Sequence, residues 1–109
     1  MDEDRRLFAR IKVKLSVKFL DQVTGKKGEG ETFDISANGV CFVTRENLIL
    51  DSPLNIWLEI PDQHEPLCVH GRVVWAQGLA GGQCVGVCVE IDKDELMGLG
   101  RILRVMVTK

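Results

Sequence analysis

Between residues 11 and 20 the chain reads IKVKLSVKFL, in which Ile11, Val13, Leu15, Val17 and Phe19 alternate with Lys12, Lys14, Ser16 and Lys18. A period of two puts apolar side chains on one face of a strand and polar ones on the other, so this stretch predicts a half-buried β-strand. Five more strand-like stretches come after it: ETFDIS (31–36), GVCFVT (39–44), LNIWLEI (54–60), PLCVHGRVVWAQ (66–77) and QCVGVCVEI (83–91). The connections are short and rich in turn residues. TGKKGEG (24–30) reads as a Gly-rich, charged turn and GLAGG (78–82) as a loop. Asn38-Gly39 is a strong hairpin signal, because both residues tolerate positive φ. Gly71, inside the longest strand, marks a bulge or a close approach of backbone. Six short strands at regular spacing predict a small antiparallel barrel or sandwich.

The period changes towards the C-terminus. Asp92 stands as a helix cap with Glu95 three residues on, and Leu96, Leu99, Ile102, Leu103 and Met106 form a helical stripe. A short C-terminal helix over 92–106 is expected, weakened by about 1 kcal/mol at each of Gly98 and Gly100. Residues 1–10 precede the first strand and are expected to be a flexible segment.

With 109 residues the chain fits one domain, and its 45% apolar and 28% charged residues suit a soluble globular protein. No apolar run approaches the roughly 20 residues of a membrane span, and the N-terminus is charged from Asp2 without an apolar signal segment. The expected location is the cytoplasm, without membrane association. The four cysteines, Cys41, Cys68, Cys84 and Cys88, form no C-x-x-C pair, and His64 and His70 complete no zinc spacing. The thiols are expected to be small buried apolar groups, with Cys84 and Cys88 pointing the same way along one strand. No Ser-His-Asp order, phosphate-binding Walker loop or metal motif appears, which predicts a non-enzyme without cofactor or metal.

Charge changes the picture locally. The net charge is −2, which carries no general nucleic-acid signature. Yet Arg5, Arg6, Arg10, Lys12, Lys14 and Lys18 succeed one another without an acid among them. So compact a basic segment on a neutral body suits a small anion better than a long polyanion. Guanidinium donates bidentate hydrogen bonds to phosphate and matches the O6 and N7 acceptors of guanine. Asp34 offers a carboxylate that can accept from the N1–H and N2–H of guanine. Ser36 shares its parity, and Gly39 permits close backbone approach. Read separately, the arginines suit a solvated terminus and Asp34 and Ser36 the wet face of a hairpin. Trp57 and Trp75 are read as core packing and His70 as a solvent-facing strand position. Lys12, Lys14 and Lys18 are read as a solvated strand face.

The two stretches together are more specific. Arg-x-x-x-Arg (Arg6, Arg10), then a strand, then Asp-x-Ser-x-x-Gly (Asp34, Ser36, Gly39), then an apolar strand, resembles the PilZ family, whose defining motifs are RxxxR and (D/N)xSxxG. GVCFVT, IWLEIPD, VHGRVVWA and GVCVEI resemble successive PilZ strands in order, so the likeness runs from about Glu3 into the final helix. It implies one PilZ domain over 1–109: an all-β, six-stranded antiparallel barrel over 11–91 with the C-terminal helix beside it. It also implies a bacterial cyclic di-GMP receptor whose arginine segment orders over the ligand and signals to a downstream protein partner. The implied ligand-binding residues are Arg5, Arg6, Arg10, Asp34, Ser36 and Gly39, with Asn38 and Arg72 as additional candidates. Arg5, just before the motif, is implied to favour a stacked pair of ligands, and the chain to be a monomer or a ligand-linked dimer. The alternatives are a PilZ-like interaction module without ligand, and a small barrel for single-stranded nucleic acid. The second would need exposed aromatics along a basic groove, and the chain has no Tyr and six aromatics in all.

Overall fold

The computed structural model describes residues 11–36, 39–89 and 101–102. Among the described residues there are seven strands: β1 (Ile11–Lys12), β2 (Ser16–Asp21), β3 (Lys27–Ser36), β4 (Gly39–Thr44), β5 (Pro53–Glu59), β6 (Leu67–Leu79) and β7 (Gly82–Val89). All pairings are antiparallel, in the order β1-β3-β2-β5-β6-β7-β4, and β4 returns to pair with β3. That last pairing closes β2 to β7 into a six-stranded barrel, with β1 as an extra strand on β3. The all-β barrel expectation is met. The expected helix over 92–106 lies outside the described residues apart from Arg101 and Ile102.

The predicted first strand is broken at residues 13–15 although its alternation persists. Leu15, Val17 and Phe19 are buried while Lys12, Lys14, Ser16 and Lys18 are exposed. Thr32 of β3 fills the break. Its hydroxyl accepts from the Leu15 amide at 2.8 Å and donates to the Val13 carbonyl, and its own amide donates to the Leu15 carbonyl at 2.9 Å. Backbone groups that leave the ladder are thus satisfied by a buried side chain.

The segment 24–30 is not all turn. The reversal is made by residues 22–26, where the buried Asp21 carboxylate accepts from the Val23 and Thr24 amides and Gly25 takes φ +75°. β3 has begun by Lys27 and pairs with β2 from Leu20 back to Ser16. Gly28 and Gly30 are strand glycines. A Cβ at Gly28 would meet the Phe19 ring at 2.4 Å, and one at Gly30 the Val43 carbonyl oxygen at 2.3 Å. Close approach, not chain reversal, explains both.

The core is formed by Val17, Phe19, Phe42, Leu54, Ile56, Leu58, Val73, Val85, Val87 and their neighbours, with the Phe19 and Phe42 rings 5.5 Å apart. Ile102 is buried in the same cluster. Beside it, Arg101 grips Asp62 with Nε–Oδ2 at 2.7 Å and Nη2–Oδ1 at 2.9 Å, and Nη2 also donates to the Glu65 carbonyl. These paired bonds, then the His64 amide and the guanidinium charge, hold the Asp62 carboxyl well below the usual carboxylate range.

This packing makes two outcomes testable. Gly30→Ala should destabilise by about 1–3 kcal/mol, as overpacking does, while Gly78→Ala, which meets nothing within 4 Å, should not; urea denaturation of both checks this. Because the Asp62 pKa is lowered on folding, its stabilisation is full above the ordinary aspartate value of about 3.9 and is lost as pH falls below it. Thermal melts of Arg101→Met against pH should show a shallower acid-side decline than the parent.

Candidate functional site

Two irregularities in the sheet decide what faces outward. In β3 the register with β4 shifts between Thr32 and Asp34, and in β6 the register with β7 shifts between Val73 and Trp75. Each inserts one extra residue, Phe33 and Val74, both about half exposed. An inserted residue reverses the parity of the strand beyond it. Thr32 points inward, and after Phe33 so does Ile35, which pairs with core residue Val40. Asp34 and Ser36 therefore face outward, as their shared parity predicts. Val73 also points inward, and after Val74 the next residue, Trp75, faces outward.

Both bulges border the same register row. Lys12, Asp34, Cys41, Gly86 and Trp75 lie side by side across β1, β3, β4, β7 and β6. The adjacent outward row holds Ser36, Gly39, Cys88 and Arg72. A cavity of about 260 Å³ opens between them, lined by Ser36, Gly39, Cys41, Trp75, Gly86 and Cys88 among others.

Glycine is required at two points. A Cβ at Gly86 would lie 2.2 Å from the Trp75 Nε1, so the indole rests flat against a bare stretch of backbone. A Cβ at Gly39 would lie 2.9 Å from the Val87 carbonyl oxygen. Ser36 pairs with Gly39, so Gly39 is already in the strand, and Asn38 lies outside the described residues. Asp34 and Ser36 are each 7% exposed, packed low on the outward face. The Arg72 guanidinium donates to the Asp51 carbonyl at 3.1 Å, which ties it to the loop before β5.

Of the residues expected in the site, Asp34, Ser36 and Gly39 are brought together, and Arg72 stands beside them. Arg5, Arg6, Arg10 and Asn38 lie outside the described residues. Trp75, expected in the core, is not there. It is 40% exposed and forms one wall of the cavity. Strict alternation from Val73 puts Trp75 inside; the bulge at Val74 puts it outside. Trp57 is also not a core residue. It stands half-buried on the outer surface beside Lys18, in a hollow of about 720 Å³ that also contains Leu20 and Pro66. That hollow, and another of about 880 Å³ near the β6–β7 hairpin, contain none of the described motif residues Asp34, Ser36 and Gly39. The thiols differ from expectation too. Cys41 is buried, but Cys68 and Cys88 are exposed and Cys84 is intermediate. Cys84 and Cys88 do share the outward face. His70 is exposed, as expected, and its Nδ1 is hydrogen-bonded to Asn55. Lys12, Lys14 and Lys18 are exposed, Lys18 lying 3.9 Å from Glu59.

The PilZ domain family model matches residues 4–104. The chain therefore belongs to the PilZ domain family. Among solved structures, it resembles the Bacillus subtilis inhibitor of motility MotI/DgrA with a TM-score of 0.70 at 17% identity, covering 96% of this chain and 53% of that one. It thus spans about half the length of that protein. It resembles the PilZ domain with c-di-GMP of YcgR from Escherichia coli with a TM-score of 0.70 at 12% identity, over 90% of this chain and 88% of that one. The PilZ domain of CeSA from a cellulose-synthesizing bacterium gives 0.60 at 19% identity, over 88% and 92%. No curated protein matches the sequence.

The seat of the indole is directly testable. In a Trp57→Phe background, where Trp75 is the sole tryptophan, Gly86→Ala should lift the ring from the sheet and shift its emission to the red; an unchanged spectrum would contradict this geometry.

Proposed function

We propose that this PilZ domain is a cyclic di-GMP receptor that acts in the bacterial cytoplasm on a protein partner and catalyses no reaction. The observation that carries the reading is the gathering of Asp34, Ser36 and Gly39 on one outward face beside the Trp75 indole. The PilZ motifs that name these positions are complete in the sequence, including Arg6 and Arg10.

Each group has a chemical role in this reading. The Asp34 carboxylate accepts the N1–H and N2–H of one guanine, and the Ser36 hydroxyl binds next to it. Gly39 keeps a side chain from intruding on the ligand. Trp75 offers an aromatic face to a base, a contact worth about 1–3 kcal/mol per base. Arg6 and Arg10 bind phosphate and the guanine O6 and N7 edge through their planar forks. Arg5 favours a stacked pair of ligands. Lys12 and Arg72 add positive charge at opposite sides of the face, which suits a dianion. Ordering of the arginine segment over the ligand changes the surface offered to a partner. A YcgR domain holding c-di-GMP and an inhibitor of motility among the fold's neighbours support a signalling role of this kind.

Calorimetric titration with cyclic di-GMP, with GTP as control, tests the reading. Micromolar or tighter binding is expected with cyclic di-GMP and no heat with GTP, at a ratio of two ligands per chain if the stacked pair forms. Arg6→Ala, Arg10→Ala and Asp34→Ala should abolish detectable binding while the barrel still melts cooperatively. Trp75→Ala should weaken binding roughly ten- to a hundredfold, the equivalent of one lost stack. A folded parent that gives no heat would overturn the proposal.

A further inference from the structure

The turns that join β2 to β3, β4 to β5 and β6 to β7 all lie at one end of the barrel, because neighbouring strands run antiparallel throughout. That end carries Val23, Ile49 and Leu50. At 75%, 71% and 60% exposure they are the three most exposed large apolar side chains among the described residues. The segments that bear them are joined. The Gln22 amide donates to the Pro53 carbonyl at 3.0 Å, and Lys26 Nζ lies 2.9 Å from Glu46 Oε1. At the opposite end the chain covers itself, with Ile102 buried in the core and Arg101 gripping Asp62.

Ile49 and Leu50 form a fixed knob. The buried Leu48 precedes them, and its amide donates to the Gln83 side-chain oxygen at 2.8 Å. The Ser52 amide closes a turn onto the Ile49 carbonyl at 3.1 Å, with Asp51 at φ +69°. The Asp51 amide donates to the Val73 carbonyl at 2.8 Å. Apolar groups held in this way lose little freedom when a partner covers them. The same end holds the hollow of about 880 Å³ between β3 and the β6–β7 hairpin. Its exposed apolar walls are Val43 and Leu79, and Arg45 and Glu46, from the segment that carries the knob, also line it.

We propose that this end of the barrel is an interface with a second copy of the chain. In a two-fold dimer the Ile49–Leu50 knob of each copy enters the Val43–Leu79 hollow of the other. Two observations favour a second copy as the occupant. Knob and hollow share one end, so an isologous pairing uses each contact twice and leaves no hollow open for a third copy. The exposed charges around them are balanced, Lys27 and Arg45 against Glu29 and Asp51. A patch of one sign would repel its own copy, whereas this one sets each charge near its opposite across the axis. The apolar patch is that of an ordinary monomer's largest and smaller than the roughly 800 Å² per partner of a stable interface, so the dimer exchanges with monomer. Ser36 and Gly39 lie at the other end, where β3 returns as β4. The pairing therefore does not rest on the nucleotide reading, and it leaves that face open.

Sedimentation equilibrium of the full chain without nucleotide, from micromolar to millimolar concentration, tests the proposal. The mass should rise from the 12.2 kDa monomer to twice that and stop there. Ile49→Asp and Leu79→Lys should each weaken dimerisation roughly tenfold or more. Both side chains are exposed, so both variants should melt as cooperatively as the parent. Phe33→Asp, a comparably exposed site towards the other end of β3, should dimerise as the parent does. Mixing the two variants is the sharpest arm. Their heterodimer keeps one intact knob-and-hollow contact and opposes unlike charges in the other, so the mixture should associate more tightly than either variant alone. A parent that stays monomeric, variants that dimerise like the parent, a mixture no tighter than its components, or a mass that grows past the dimer would each overturn the proposal. A dimer formed only with cyclic di-GMP would overturn it too, by placing the contact on the nucleotide face.

Discussion

The outward face of this barrel depends on two inserted residues. Phe33 and Val74 each break a β-ladder by one position, at opposite sides of the β4–β7 pair. The bulge at Phe33 turns Asp34 and Ser36 outward and keeps Thr32 and Ile35 in the interior. The bulge at Val74 turns Trp75 outward and keeps Val73 in the core. Because β4 and β7 pair without a shift, Asp34 and Trp75 arrive in the same register row, separated by Cys41 and Gly86. Neither bulge alone builds the cavity. A bulge re-aims side chains without adding a new element, so the barrel can keep a dry core and still present an acid and an aromatic ring together.

Backbone satisfaction is the complementary constraint. The bulge in β3 faces the gap between β1 and β2, where ladder bonds are interrupted. Thr32 meets both needs with one hydroxyl, accepting from Leu15 and donating to Val13. The glycines finish the arrangement. Gly86 makes room for the indole, and Gly39 leaves the edge of the cavity low.

Much of the barrel is legible in the sequence because period two is a strong signal when one face is dry. The alternation of Val17 and Phe19 with Lys18, and the valines of GVCV, place strands where they are found. The reversal between Ser36 and Gly39 is legible from turn chemistry. The misreadings have separate physical causes. Periodicity cannot count an inserted residue, so counting from Val73 assigns Trp75 to the core. Gly28 and Gly30 read as turn because glycine signals both chain reversal and close approach, and only the Phe19 ring and the Val43 carbonyl distinguish the two. Cys88 reads as buried because cysteine usually is, although its alternation with Val87 and Val89 already places it on the opposite face. Asp34, Ser36 and Gly39 are legible as a site only through the family motif; their chemistry alone equally suits a hairpin.

The central claim is that the surface between Ser36, Gly39 and the Trp75 indole receives a guanine nucleotide. The most direct measurement is the fluorescence of Trp75 in a Trp57→Phe variant titrated with cyclic di-GMP. Stacking of a base on the indole predicts saturable quenching with the same midpoint as the calorimetric isotherm. Calorimetric saturation with no change in Trp75 emission would place the ligand elsewhere and contradict the account.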